Sequence, residues 1–244
     1  MDSSKLNENR DARPTVTIVG SGICGMFTGL ALDHRGFDVT IIERDTPPPD
    51  CSANEAFFSW QRRGVAQFRH PHAFLGLMCS VLEENYPDLL EHFFDAGARK
   101  VSFEDSIPDH LRPQYKPEPG DEKMWVLMCR RATMETVLRK YVTQTTRVTI
   151  KNRISVTDII TKENDRQDVV VEGLRIVDHE NNNEKSELFS DIVIDSTGRS
   201  SKFSKWLSNC GIDITEERDD AEIVYYTRHY LSLIHISEPT RLLS

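Results

Sequence analysis

Apolar and polar positions divide the chain into short strands and amphipathic helices. Val16 to Val19 is a β-branched run suited to a buried parallel strand. Met26, Phe27, Leu30 and Leu32 then recur at helical spacings, predicting a helix from Ile23 to His34 that ends on Gly36. Val39 to Glu43 predicts a second strand. "DTPPPD" (45–50) is a surface connection, because consecutive prolines permit neither helix nor central strand. From Ala73 to Phe94 the pattern predicts helix, interrupted at Pro87, with Leu75, Leu77, Met78, Val81 and Leu82 on the buried face. Residues 105–121 hold four prolines and many charges and read as a long loop. Residues 131–144 predict a helix with Met134, Val137, Leu138 and Val142 on one side. Extended stretches follow at 147–160, 168–178 and 188–198, separated by polar turns such as 179–185. No internal repeat is visible.

A length of 244 residues allows one large domain or two small ones. The net charge of −9 and a pI near 5.4 argue against a nucleic-acid partner or a polybasic membrane patch. No window approaches ~18 consecutive apolar residues, so no membrane span is expected. Residues 1–13 are polar, lack the apolar stretch of a secretion signal, and are expected to be a disordered tail. Five scattered cysteines, without a CxxC or a Cys/His cluster at zinc spacing, read as reduced packing thiols; no metal site and a cytoplasmic location are expected.

The joint between the first strand and the first helix carries the chemistry. Gly20, Gly22 and Gly25 form a GxGxxG, and the acid Glu43 closes the second strand 18 residues beyond Gly25. Gly20 permits the tight turn, Gly22 lets a pyrophosphate approach the main chain, and Gly25 lets the helix pack on the sheet. The helix N-terminus offers free N–H groups to phosphate, and Glu43 is placed to bond ribose hydroxyls. An acid there opposes a 2′-phosphate, so FAD or NAD is expected before NADP. Ser21 and Arg44, flanking the joint, are placed in the same site. Glycines serving only the turn and packing are the alternative.

Three further stretches carry a resemblance. "MCRRATMETVLRKYV" resembles the Arg-x-x-Leu-Glu helix of FAD-dependent monooxygenases of the aromatic-hydroxylase and epoxidase type, with Arg131, Met134 and Glu135 on the pattern and Arg130 as the neighbouring alternative. The resemblance implies that Arg131 reaches the nucleotide's phosphate or ribose, a task suited to a guanidinium fork. "DIVIDSTGRSSKFSKWL" resembles the family's second fingerprint and implies that Asp195 and Gly198 lie near the FAD pyrophosphate and the path of the nicotinamide donor. Here Thr197 precedes the glycine, where many members have Asp, and Lys202 stands where many have Arg. "RRGVAQFRHPHAFL" resembles a segment that implies Gln67, His70 and His72 near the isoalloxazine. A metal site on the two histidines is opposed by Pro71 between them. The extended segments from 148 to 195 are similar to the family's β-meander, with Val156 the candidate adenine contact.

The likeness covers most of residues 14–230. It implies an α/β fold, a Rossmann-like FAD-binding domain of the glutathione-reductase type with a β-meander, in which NAD(P)H reduces FAD and O₂ supplies an oxygen atom to a small-molecule substrate. No nucleophilic constellation is required, and no catalytic residue is assigned. The later Gly-Asp motif and the Pro-containing stretch of such enzymes are not found, so the domain is expected to be truncated and to hold FAD weakly or not at all. Residues 231–241, "LSLIHISEPTR", resemble a translated sequencing adapter, which implies an artefactual tail at 231–244 and a native frame departing near Tyr230. A geranylgeranyl-reductase-like or halogenase-like flavoenzyme, an NAD-dependent dehydrogenase and a non-catalytic nucleotide-binding module remain alternatives.

Overall fold

The computed structural model describes residues 13–215 and 217, apart from 165 and 167. The fold set out here lies in one compact unit ending at Asp213. The tail at 231–244 and residues 1–12 of the lead-in lie outside the described residues.

Strand β1 (Thr15–Val19), helix α1 (Ile23–Asp33) and strand β2 (Asp38–Ile42) form a β-α-β unit, with the strands parallel and Ile18 opposite Ile41. Val16, Ile18, Val39 and Ile41 enter one core with Met26 and Leu30, whereas Val19 and Ile42 enter a second. Burial on both faces explains why these strands read as apolar or β-branched runs without clean alternation. Gly36, at φ 87°, reverses the chain after α1.

Helix α2 (Ala53–Ser59) was not legible from periodicity; a capping box between Ser52 and Glu55 starts it. There follow β3 (Pro71–Phe74), α3 (Gly76–Asn85), α4 (Pro87–Asp95), β4 (Arg99–Ser102), the single turn α5 (Phe103–Ser106), and β5 (Trp125–Arg130). The helix expected from Ala73 is corrected at its start. Ala73 and Phe74 belong to a strand that pairs antiparallel with β5, in a sheet of order β3-β5-β4. Leu75 and Leu77, expected to be buried, are 68% and 83% exposed, because α3 begins at Gly76 and turns Cys79 and Leu82 inward. Pro87 opens α4, where its missing N–H breaks no helical bond. Of the loop expected at 105–121, Asp105 and Ser106 belong to α5, and the rest is irregular apart from short 3₁₀ turns at Arg112–Gln114 and from Asp121.

Helix α6 (Arg131–Thr145) buries Met134, Leu138 and Val142 in the first core. Strand β6 (Thr149–Lys151) joins β2 in parallel. The strands β7 (Ile154–Glu163), β8 (Val169–Asp178) and β9 (Glu184–Phe189) form the antiparallel meander, and β10 (Ile192–Asp195) returns to pair in parallel with β1. The meander is thus narrower than the 148–195 expected. Its flanking strands belong to the parallel sheet, of order β10-β1-β2-β6. Helix α7 (Phe203–Asn209) packs on the second core through Phe203, Trp206 and Leu207.

Candidate functional site

The carboxyl ends of β1 and β2 open onto a cavity of about 240 Å³. Gly20, Gly22, Glu43, Arg44 and Val156 line it; Ser21, Gly25, Arg131, Asp195 and Gly198 do not, and neither do Gln67, His70 and His72. Val19, Ile42, Ile154, Val156, Phe203 and Trp206 supply apolar walls. Ligands of open parallel sheets lie at this end of the strands.

The three glycines do three different things. Gly20 sits at φ 105°, and a Cβ there would come 2.7 Å from the Ser196 carbonyl oxygen. At Gly25 a Cβ would fall 2.0 Å from the Gly20 oxygen, so the helix can lie against the turn only without a side chain. A Cβ on Gly22 would meet nothing within 4 Å. The main chain is therefore bare where it lines the cavity. Gly22 is also the N-cap of α1, with no side-chain cap and no acid in the first turn. Uncapped helical N–H groups beside open space suit an anion, so the residues present fit a dinucleotide's phosphates.

Below the turn lies a buried ion network. Glu43 Oε2 accepts from Ser21 N (3.0 Å), Ser21 Oγ (2.7 Å) and Arg62 Nη1 (2.9 Å), while Oε1 accepts from Asp45 N (2.9 Å). Arg62 also donates from Nε to Glu135 Oε2 (2.9 Å), reaches Asp45 (3.4 Å), and lies 5.1 Å from the Trp60 ring centre. Burial pushes the Glu43 carboxyl up, but the Arg62 charge and the Asp45 and Ser21 donors outweigh it and hold the group at about 2. Burial likewise pulls Arg62 down, and Glu43 and Glu135 raise it above its ordinary value. Arg139 donates to Ser21 Oγ (3.2 Å) and to Asn152 Oδ1 (2.7 Å). Desolvation and the Arg62 charge bring Arg139 down to about 10, so it stays cationic at neutral pH.

The other expected residues sit elsewhere. Arg131 is turned onto its own helix, donating to Glu135 Oε1 at 2.7 Å, and its Nη1 is 3.4 Å from His72 Nε2. Burial and the Arg131 charge lower the His72 pKa; its Nδ1 faces the Pro71 oxygen at 3.2 Å, leaving Nε2 to accept from Arg131. His70 N donates to the Gln67 oxygen, and the His70 oxygen accepts from Arg131 N, so this segment brackets the start of α6. Asp195 accepts from Thr197 N (2.9 Å), Thr197 Oγ1 (2.6 Å) and Ser201 Oγ. It shapes a turn whose Ser196 and Thr197 line the cavity, and Gly198 completes that turn at φ 74°. Sequence reasoning missed Arg62, Asp45, Ser196, Phe203 and Trp206. Ser196, Phe203 and Trp206 lie inside the stretch that resembles the second fingerprint without being singled out in it, and Arg62 stands in a basic pair before Gly64. Arg44 and Lys202 line the cavity, and their side chains have no polar partner among the described residues.

Residues 18–96 match the NAD(P)-binding Rossmann-like domain family. The fold is a Rossmann-like one. A FAD-dependent monooxygenase of Aspergillus terreus is 31% identical over 107 residues, 44% of this chain and 21% of that protein. The NAD-dependent dihydropyrimidine dehydrogenase subunit PreT of Escherichia coli is 32% identical over 69 residues, 28% of this chain and 15% of that protein. Among solved structures, PqsL of Pseudomonas aeruginosa, described as a probable FAD-dependent monooxygenase, superposes at a TM-score of 0.53 with 13% identity, over 85% of this chain and 48% of that one. CmlS, a flavin-dependent halogenase, superposes at 0.53 with 23% identity, over 81% and 32%. The chain resembles FAD-dependent monooxygenases, and its matches cover less than half the length of each of these proteins. Among the described residues no helix is long and apolar enough to cross a membrane.

Proposed function

We propose that the chain is the nucleotide-binding portion of a FAD-dependent monooxygenase that uses NAD(P)H and O₂ to hydroxylate or epoxidise a small organic substrate. The observation that carries the reading is Gly22, bare main chain at an uncapped helix start facing open space. Main chain at Gly22 and the start of α1 would hold the pyrophosphate, with Arg44 and the Ser196–Gly198 turn beside it; Gly20 and Ser21 would shape the turn, because their N–H groups are bound to the Ile42 oxygen and to Glu43 Oε2. Oε1 of Glu43, which accepts a single bond from Asp45 N, keeps a lone pair for a ribose hydroxyl. Val156 would meet the base, Gln67, His70 and His72 would lie near the flavin, Asp195 near the pyrophosphate and the donor path, and Arg131 toward the nucleotide's phosphate or ribose. FAD, when bound, supplies the redox chemistry. The protein residues bind, orient and exclude water. Five unpaired thiols suit a reducing, cytoplasmic setting.

Flavin retention tests the reading. The 244-residue chain is expected to hold little FAD, and a product carrying the continuing coding sequence is expected to purify yellow and stoichiometric. A longer product that stays colourless with added FAD would overturn the proposal. A flavin-dependent halogenase or reductase on the same scaffold is the second reading, favoured by the fold match to CmlS. Oxygen-dependent substrate conversion without halide separates the two from the first.

A further inference from the structure

We infer that the outer face of the β3-β5-β4 sheet and the first turn of α6 form a second binding site, for a small organic carboxylate. The inference is independent of the nucleotide-site reading above. A second cavity, of about 300 Å³, lies here and shares no lining residue with the first. Strand register puts four of its residues on one side of the sheet. Arg99 of β4 is opposite Met128 of β5, Pro71 of β3 is opposite Arg130, and Met128 and Arg130 are two positions apart on β5. Trp125 and Leu127, between them in the alternation, turn inward to the core. Thr133 of α6 completes the lining used here.

The cavity is cationic in a chain of net charge −9. Two of its lining residues are arginines and none is acidic. Arg130 Nη2 donates to Asn54 Oδ1 at 2.8 Å, and its guanidinium carbon lies 4.7 Å from the Phe57 ring centre. Those contacts fix the side chain and leave Nε and Nη1 without a partner among the described residues. The Arg99 side chain is exposed and has no polar partner among them either. Thr133 is 2% exposed, and its hydroxyl has no hydrogen-bond partner among the described residues. Only the Thr136 hydroxyl is both unpartnered and sealed off, so the surface that Thr133 Oγ1 keeps opens on the cavity it lines. A buried hydroxyl without a partner is costly, and a ligand oxygen removes that cost. Helix α6 begins here with no side-chain cap and no acid in its first turn, which adds its positive end.

The donors that remain fit a carboxylate better than a phosphate. Main-chain N–H groups, which cradle phosphates, are spent. Those of Ala96, Gly97 and Ala98 bond the His92, Phe94 and Phe93 oxygens, and those of Arg131 and Ala132 bond the His70 and Phe68 oxygens. Two guanidinium forks and one hydroxyl are left, enough for the two oxygens of a carboxylate. Met128 and Pro71 offer the rest of the ligand an apolar wall.

Saturation-transfer NMR titrations of the 244-residue chain with benzoate, benzamide and phenyl phosphate test this. Benzoate is expected to bind with a dissociation constant of about 1 mM, a range open to a ligand of its size. Benzamide, of the same shape without the charge, should bind at least about tenfold more weakly, phenyl phosphate no more tightly, and excess ADP should leave benzoate bound. Arg99→Gln should weaken benzoate about tenfold and Thr133→Val about fivefold. Neither substitution should lower the urea midpoint, because neither side chain has a polar partner to lose; general structural damage would lower it. Absence of benzoate binding, equal binding of benzamide, tighter phenyl phosphate, displacement by ADP, or an affinity that either substitution leaves intact overturns the inference.

Discussion

The glycine turn and the ion network beneath it handle polarity in opposite ways. At Gly22 the main chain is open and its helix start is uncapped. A few residues away, Glu43, Arg62 and Glu135 are buried and bonded to one another. Unpaired donors beside space mark where a ligand belongs; paired charges away from water mark the scaffold that holds the place. Glu43 belongs to both, three bonds deep on one oxygen and singly bonded on the other.

Substitutions can break that contrast, and the largest effects belong to the scaffold. Gly25→Ala puts a Cβ against the Gly20 oxygen and should cost more than about 3 kcal/mol of stability in urea denaturation, enough to lose the native turn. Gly22→Ala should leave the midpoint nearly unchanged while weakening ADP at least about tenfold. Arg62→Met removes a cation shared by three buried carboxylates, and its expected cost is about 3–5 kcal/mol by the same assay. Acid titration comes next. Because the folded Glu43 pKa of about 2 lies below its ordinary value of 4.5, its contribution is present above 4.5 and is lost as pH falls toward 2. That loss should amount to about 3 kcal/mol, and Glu43→Gln should flatten this part of the pH profile. The smallest expected change in stability is for Arg44→Ala, within about 0.5 kcal/mol, with ADP affinity reduced several-fold at low salt.

How much was legible in the sequence follows the same division. The β1-α1-β2 unit and its glycines are local: backbone conformation and close packing are written in adjacent residues, so the spacing of Gly20, Gly22, Gly25 and Glu43 points straight at the turn. The segment at 62–75 is different. The resemblance pointed to Gln67, His70 and His72, yet the residues of this segment that line the cavity are Arg62, Gly64 and Val65, and Arg62 is held there by Glu135 of α6 behind it. Nothing in the local pattern says which of two adjacent arginines meets a helix that begins about 70 residues later. The end of β3, Ala73 and Phe74, was read as helix for a related reason, since its partner β5 is remote in sequence. Arg131 fitted its pattern and still turned to Glu135, one helical turn away and already buried.

The pairing of β10 with β1 sets an order of events during synthesis. Thr15 and Asp191 exchange main-chain and side-chain bonds across 176 positions, and the Gly20 turn rests on Ser196. Contacts of such long range form late, after the entropy of closing a large loop has been overcome. A nascent chain that has not yet emerged from the ribosome as far as residue 196 therefore has the glycine signature but not the pocket it serves, and premature stops before that point should yield polypeptides bound by chaperones in place of nucleotide.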